Sequence, residues 1–183
     1  MRVIAGKYRG KKLLPPSDNN VRPTTDRIKE TVFNILASRN ALHGKVLDLF
    51  CGSGALGIEA LSRGAESAVF VDKSPQSVKL TYENLKGIAE PYKVFNTDYR
   101  VALEKLNEPF DLILLDPPYH DKIEANAIKI IIEKKLLSPN GLIFVEHSRE
   151  NSLLNLPVSV IINTRNCGNT SISFIAQSEE IND

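Results

Sequence analysis

The stretch Val46-Leu47-Asp48-Leu49-Phe50-Cys51-Gly52-Ser53-Gly54-Ala55-Leu56-Gly57 constrains the fold more than any other. An apolar run ends in a glycine-rich turn, and Ala55, Leu56, Ile58, Ala60 and Leu61 then open a helix that Gly64 can close. Gly52, Gly54 and Gly57 fit G-x-G-x-x-G. Two of these let backbone N–H groups approach a ligand, and the third lets the helix pack closely on the strand. Asp72 ends the next apolar run, Ala68-Val69-Phe70-Val71, and lies 20 residues after Gly52. A carboxylate at that strand tip can accept both hydrogen bonds of a ribose diol, which predicts an adenosine-containing cofactor. A strand-end aspartate without function is the competing reading, and the spacing argues against it.

From Lys45 onward, strand patterns at 46–50, 67–71, 92–96, 110–115 and 142–146 alternate with helix patterns at 55–63, 75–86, 99–106 and 122–135. Such alternation predicts right-handed βαβ units and a parallel sheet covered on both faces. Ser74 reads as an N-cap, Pro75 as the first helical residue, Gly87 as the stop, and Ser138-Pro139-Asn140-Gly141 as a turn. The runs 158–162 and 171–176 have no helix between them, and Asn166-Cys167-Gly168-Asn169 supplies turn residues. They predict an antiparallel hairpin, making an α/β fold with a mostly parallel seven-stranded sheet. Dinucleotide-binding folds continue instead with further βαβ units, which disfavours a nicotinamide oxidoreductase.

A chain of 183 residues suits one domain plus a small appendage. At 42% hydrophobic and 25% charged it reads as a soluble globular protein. No apolar stretch approaches the ~20 residues of a membrane span, and the N-terminus lacks a signal-peptide core, so the expected location is cytoplasmic. Cys51 and Cys167 offer neither a disulfide framework nor metal-ligand spacing, so no metal is expected. The net charge of +1 hides an asymmetry: through Lys45 there are ten Lys/Arg against Asp18, Asp26 and Glu30, a net +7, and the remainder carries −6. A basic head on an acidic body predicts a polyanionic partner, the alternative being a solvated basic hairpin.

That head reads as a β-hairpin extension over residues 1–20, in which 2–5 and 11–14 are extended runs joined by Gly6-Lys7-Tyr8-Arg9-Gly10. Its tip would present Lys7, Tyr8 and Arg9: two phosphate-seeking cations and a ring able to stack on a base. The main domain follows over 21–183. Arg22-Pro23-Thr24-Thr25-Asp26-Arg27 leads into a helix with Ile28, Val32, Ile35 and Leu36 at helical spacing. Thr24 or Thr25 is the expected N-cap; the same helix end could instead hold a ligand carboxylate.

Asp116-Pro117-Pro118-Tyr119 follows the fourth strand pattern of the alternating series. Ligands of open α/β sheets bind outside the carboxyl ends of strands, so Asp116 and the glycine turn face one crevice. The prolines carry no N–H, leaving their carbonyls free to face a substrate. An Asp side chain and a Pro carbonyl offer two acceptors for the two hydrogens of an exocyclic amino group, and Tyr119 offers a face for its base. Simple helix capping by Asp116 explains neither proline nor the aromatic.

Asp48-Leu49-Phe50-Cys51-Gly52-Ser53-Gly54 with Asp116-Pro117-Pro118-Tyr119 resembles class I S-adenosylmethionine-dependent methyltransferases with a Rossmann-like fold that modify base amino groups. The strings Ile4–Leu13 and Arg22–Thr31 further resemble the ribosomal small-subunit methyltransferase D family, which methylates N2 of a guanine in 16S ribosomal RNA. The resemblance implies S-adenosylmethionine as cofactor and S-adenosylhomocysteine as product. It implies that Gly52 and Gly54, with Phe50 and Ser53 in the same turn, approach the methionine part, and that Asp48 lies beneath its amino group. Asp72 would bind the ribose, Asp98 the adenine N6, and Thr24 or Thr25 the carboxylate. Asp116, Pro117, Pro118 and Tyr119 would form the catalytic site, and Arg2, Lys7, Tyr8, Arg9, Lys11, Lys12 and Arg22 would contact RNA. The implied partner is 16S ribosomal RNA within the assembled small subunit, met by a monomer. His120 adjoins the motif and is assigned no role. The same amine clamp would serve adenine N6 in DNA or RNA, and a non-catalytic RNA-binding module is the third alternative.

Overall fold

The computed structural model describes residues 1–16, 26–118, 123–149, 160–167 and 170–177. Its elements run α1 (Asp26–Ser38), β1 (Lys45–Asp48), α2 (Ala55–Ser62), β2 (Ser67–Asp72), α3 (Pro75–Leu85), β3 (Tyr92–Asn96), α4 (Tyr99–Lys105), β4 (Phe110–Leu115), α5 (Ile123–Glu133), β5 (Leu137–Ser148), β6 (Val160–Cys167) and β7 (Thr170–Gln177). The strands form one sheet in the order β3-β2-β1-β4-β5-β7-β6. β1 to β5 pair in parallel, and β7 inserts antiparallel between β5 and β6. Both the alternating series and the antiparallel finish match the sequence expectation. No helix among the described residues is long and apolar enough to cross a membrane.

Strand alternation sorts the core into two layers. Val46, Leu112, Leu114, Leu142 and Phe144 face α1, α2 and the N-terminal arm. Leu47, Leu49, Ile113, Leu115, Ile143 and Val145 face α4 and α5. α2 is buried from Leu56 to Ser62, as a helix apolar on nearly all sides must be. It lies between the sheet and the arm. Ser74 caps α3 by accepting from Ser77 N at 3.3 Å, with Pro75 in the first turn.

Three local expectations change. Residues 138–141 do not end a strand: β5 runs through them, and the β4–β5 register shifts between Phe110↔Leu137 and Leu112↔Leu142. The turn chemistry survives as an irregularity inside a longer strand. At the C-terminal hairpin, Asn166 and Cys167 belong to β6 and pair with Ser171 and Thr170. Pairing therefore runs up to the connection 168–169, which lies outside the described residues, as do 158–159. The N-terminal hairpin is reduced to one antiparallel bridge, Arg2↔Lys12, flanked by Val3 N→Lys11 O (2.9 Å) and Leu13 N→Met1 O (3.1 Å). The reason is a diversion of donors. Ile4 N and Ala5 N donate to Glu59 of α2, at 2.8 and 3.1 Å, instead of across the arm. Val3 and Leu13 join the main core.

Glu59 is the hub of that junction. Its side chain is 0% exposed and pairs with Lys29 (3.4 Å, 1% exposed) and with Arg63 (2.7 Å). Lys29 also donates to Arg2 O, and burial lowers its pKa. Ser62 extends the seam: its hydroxyl donates to Ala5 O at 2.6 Å, and its carbonyl accepts from Lys7 N at 2.7 Å. Gly6 is required here, because a Cβ at its φ of +85° would stand 1.8 Å from Ser62 O.

Candidate active site

The sheet order reverses beside β1, which has β2 on one side and β4 on the other. In a parallel sheet the carboxyl ends share one rim, and this reversal is where a crevice opens. Asp48 ends β1, the glycine turn follows it, Asp72 ends β2, and Asp98 follows β3 by two residues. Asp116, half-buried, is the first residue after β4. One rim therefore gathers Asp48, the glycine turn, Asp72, Asp98 and the predicted catalytic aspartate.

The glycine turn is rigidly held. Gly52 and Gly54 have φ of +53° and +76°. Gly54 N donates to Cys51 O (2.7 Å), and Cys51 N to Val71 O (3.0 Å). Gly52 N donates to Asp72 Oδ2 at 2.9 Å, so the carboxylate expected at the ribose also fixes the turn. Its other oxygen accepts from Ser74 N at 2.8 Å. From α3, Thr81 donates to Gly52 O (3.0 Å) and Asn84 to Ser53 O (2.9 Å). Gly57 must be glycine, since a Cβ there would lie 2.3 Å from the Phe70 ring. Where a Cβ on Gly52 would stand, nothing lies within 4 Å. That side of the turn is open.

Charge at the rim is unevenly satisfied. Asp48 is 1% exposed; its Oδ2 accepts from Gly57 N at 2.9 Å, while Oδ1 has no hydrogen-bond partner among the described residues. Burial, opposed by the Gly57 bond and reinforced by Asp72, pushes its pKa up to about 7. Burial also raises the Cys51 thiol strongly, which leaves it unreactive. Asp98 caps α4 through Arg100 N (3.0 Å) and pairs with the Arg100 side chain (2.9 Å), which holds it below the usual carboxylate range.

The Asp48 shift has a measurable consequence. Between the ordinary carboxylate value of 3.8 and about 7, the folded chain keeps a proton that the unfolded chain has released. Stability from this group is thus full below that window and is lost as pH rises through it, by up to roughly 4 kcal/mol. Asp48→Asn is expected to raise the melting temperature at pH 8 but not at pH 4. An equal gain at both values would show that ionisation is not the cause.

Phe50 packs against Tyr99 with ring centroids 5.4 Å apart, and Asn126 Nδ2 donates to the Tyr99 hydroxyl at 2.9 Å. Ser53 and Pro117 are buried and Pro118 is exposed. Arg22, Thr24, Thr25, Tyr119 and His120 lie outside the described residues. The arm does not present its expected trio together. Lys7 Nζ and the Tyr8 hydroxyl both donate to Glu90, each at 2.6 Å, and Ala89 N donates to the same hydroxyl at 2.9 Å. Lys11 Nζ donates to Lys86 O at 2.5 Å. Arg2 pairs with Asp26 at 3.6 Å, whereas Arg9 and Lys12 are exposed with no ion pair to another described residue. Sequence reasoning missed Thr81 and Asn84, although their i, i+3 spacing on α3 puts both toward the turn.

The family profile described as Conserved hypothetical protein 95 matches residues 1–176. Ribosomal RNA small subunit methyltransferase D of Haemophilus influenzae is 39% identical over 163 residues, which is 84% of this chain and 82% of that relative. The protein of the same name from Escherichia coli is 35% identical over 160 residues, 87% of this chain and 80% of its own. A solved structure of a putative methyltransferase from Escherichia coli matches at a TM-score of 0.88 and 31% identity, covering 98% of this chain and 99% of that one. The fold is therefore an α/β methyltransferase-like fold, and the chain belongs to the Conserved hypothetical protein 95 family, that of the ribosomal RNA small-subunit methyltransferases D.

Proposed function

We propose that this chain transfers a methyl group from S-adenosylmethionine to the N2 amino group of a guanine in 16S ribosomal RNA. The observation that carries the reading is the adjacency of two motifs. β1 pairs with β4 through Asp48↔Leu114, so the glycine turn and Asp116 leave neighbouring strands at one rim. The names of the relatives support ribosomal RNA as the substrate.

The residues present fit the cofactor. Asp48, buried with Oδ1 unpartnered among the described residues, suits the cationic amino group of the methionine part. Gly52 and Gly54 offer backbone beside it, Asp72 suits the ribose and Asp98 the adenine amine; Thr24 or Thr25, outside the described residues, is the candidate for the carboxylate. When bound, the cofactor supplies a methyl group already activated by the sulfonium. The protein's task is then chiefly alignment. Guanine must leave its stack to reach the rim, and Tyr119 offers it a flat surface. Asp116 and the Pro117 carbonyl accept hydrogen bonds from N2, favouring its pyramidal form and stabilising the positive charge that develops. The proton departs after transfer, so no tuned general base is needed.

Tritium transfer from labelled cofactor to unmodified small subunits, followed by nucleoside analysis, tests this directly. Label is expected in N2-methylguanosine. Label in N6-methyladenosine would favour the adenine reading, and none at all a non-catalytic RNA-binding protein.

Residues 1–20 act, in this proposal, as the RNA-contacting extension of a methyltransferase domain at 21–183. Its substrate is the assembled subunit, and it works as a cytoplasmic monomer. With Lys7 and Lys11 each held in a surface bond to this chain's own Glu90 and Lys86, Arg9 and Lys12 carry the arm's phosphate contacts. Replacing both with alanine is expected to weaken RNA binding and to flatten its log–log salt dependence by about one to two. An unchanged slope would place the RNA elsewhere.

A further inference from the structure

β5 brings a second carboxylate to the catalytic corner. Leu115 of β4 pairs with Val145 of β5 in parallel, so Asp116 and Glu146 follow side by side. By alternation Glu146 continues the row of Leu142 and Phe144 on β5, in the core layer that also holds Leu112 and Leu114 of β4. Asp48 lies in that layer too, level with Leu114. Neighbouring strands stand about 4.8 Å apart, a separation that one purine edge can bridge. Glu146 is only 4% exposed, so its carboxylate stands inside the protein at this corner and not in bulk water.

We propose that Glu146 determines base specificity: its carboxylate accepts the N1–H of the target guanine while Asp116 and the Pro117 carbonyl hold the N2 amine. The inference rests on the guanine reading above and deepens it. The Watson–Crick edge of guanine sets an N1–H donor beside its amine, and adenine sets a bare N1 acceptor beside its own. The amine clamp alone treats the two alike. A carboxylate oxygen that accepts at N1 bonds to guanine and opposes lone pair to lone pair with adenine, and sites built around a donor reject analogues lacking it.

The test uses small-subunit RNA in which the methylated guanine, once located, is replaced by 2-aminopurine, which keeps the amine and lacks N1–H. The wild-type protein is expected to prefer guanine by about 10²-fold or more in kcat/KM. Glu146→Gln, whose amide can donate to a bare N1, is expected to narrow that preference to within about tenfold, with S-adenosylhomocysteine affinity unchanged. Asp116→Ala should depress both substrates and leave their ratio intact. Each ratio is taken within one preparation, so partial misfolding cancels, and the wild-type comparison stands even if the variant does not fold. Equal use of the two bases by the wild type, or an unchanged ratio in Glu146→Gln, would overturn the role of Glu146 alone. Failure of the wild type to methylate guanine at all would overturn the guanine reading and this role with it.

Discussion

Asp116→Ala is expected to lower turnover about 10²-fold or more, the equivalent of about 2.7 kcal/mol of transition-state stabilisation, with cofactor affinity close to wild type. The two effects separate because of where the groups stand. Apart from Thr24 or Thr25, the residues proposed for the cofactor lie at the ends of β1, β2 and β3, and the turn among them is tied down by Asp72, Thr81 and Asn84. Asp116 stands across the β1–β4 boundary and enters none of those bonds. Removing its carboxylate leaves the turn intact and withdraws an acceptor from the amine, whose delocalised lone pair makes it a poor nucleophile. Asp116→Asn keeps one acceptor but not the charge, so its loss should be smaller. Isothermal titration with S-adenosylhomocysteine beside single-turnover methyl transfer distinguishes the two effects. Lost affinity with intact turnover would move Asp116 from the acceptor side of the site to the cofactor side.

The parts of the site legible in the sequence depend on local pattern. A glycine turn after an apolar run, an acid at the next strand tip and an acid before two prolines each announce a strand end. The parallel topology then brings strand ends together without further information. What escaped reading depends on distant partners. The expected apolar row of α1, Ile28, Val32, Ile35 and Leu36, packs on the core, but the fully buried set is Lys29, Val32, Phe33 and Leu36. A lysine reads as solvent-facing by composition, and only Glu59, 30 residues on in α2, makes its burial possible. The lone carboxylate within ALGIEALS was the available clue. The arm shows the same limit. Its extended runs and glycines predicted a ladder, whereas the donors of Ile4 and Ala5 are claimed by that carboxylate. Tyr8 and Lys7, expected at an open tip, are drawn down by Glu90 for a similar reason.

Glu59→Ala is accordingly expected to destabilise the protein by about 3–5 kcal/mol, far beyond a typical surface change. The substitution leaves Lys29 buried without its counter-charge and strips the acceptor from two arm amides. It also releases Arg63, whose guanidinium lies 5.2 Å from the Phe33 ring centroid. For a chain of this length, the melting temperature should fall by roughly 6–20 °C. The loss is that of an orphaned charge, not of a favourable pair, so Lys29→Met combined with Glu59→Leu should recover much of it. Amide exchange gives a local readout: Ile4 and Ala5 should lose protection in Glu59→Ala, and they should not regain it in the double variant, which restores packing but no acceptor. A fall below about 1 kcal/mol would mean that Lys29 reaches water without the carboxylate, and the junction between arm and cofactor helix would then rest on Ser62 and apolar contact alone.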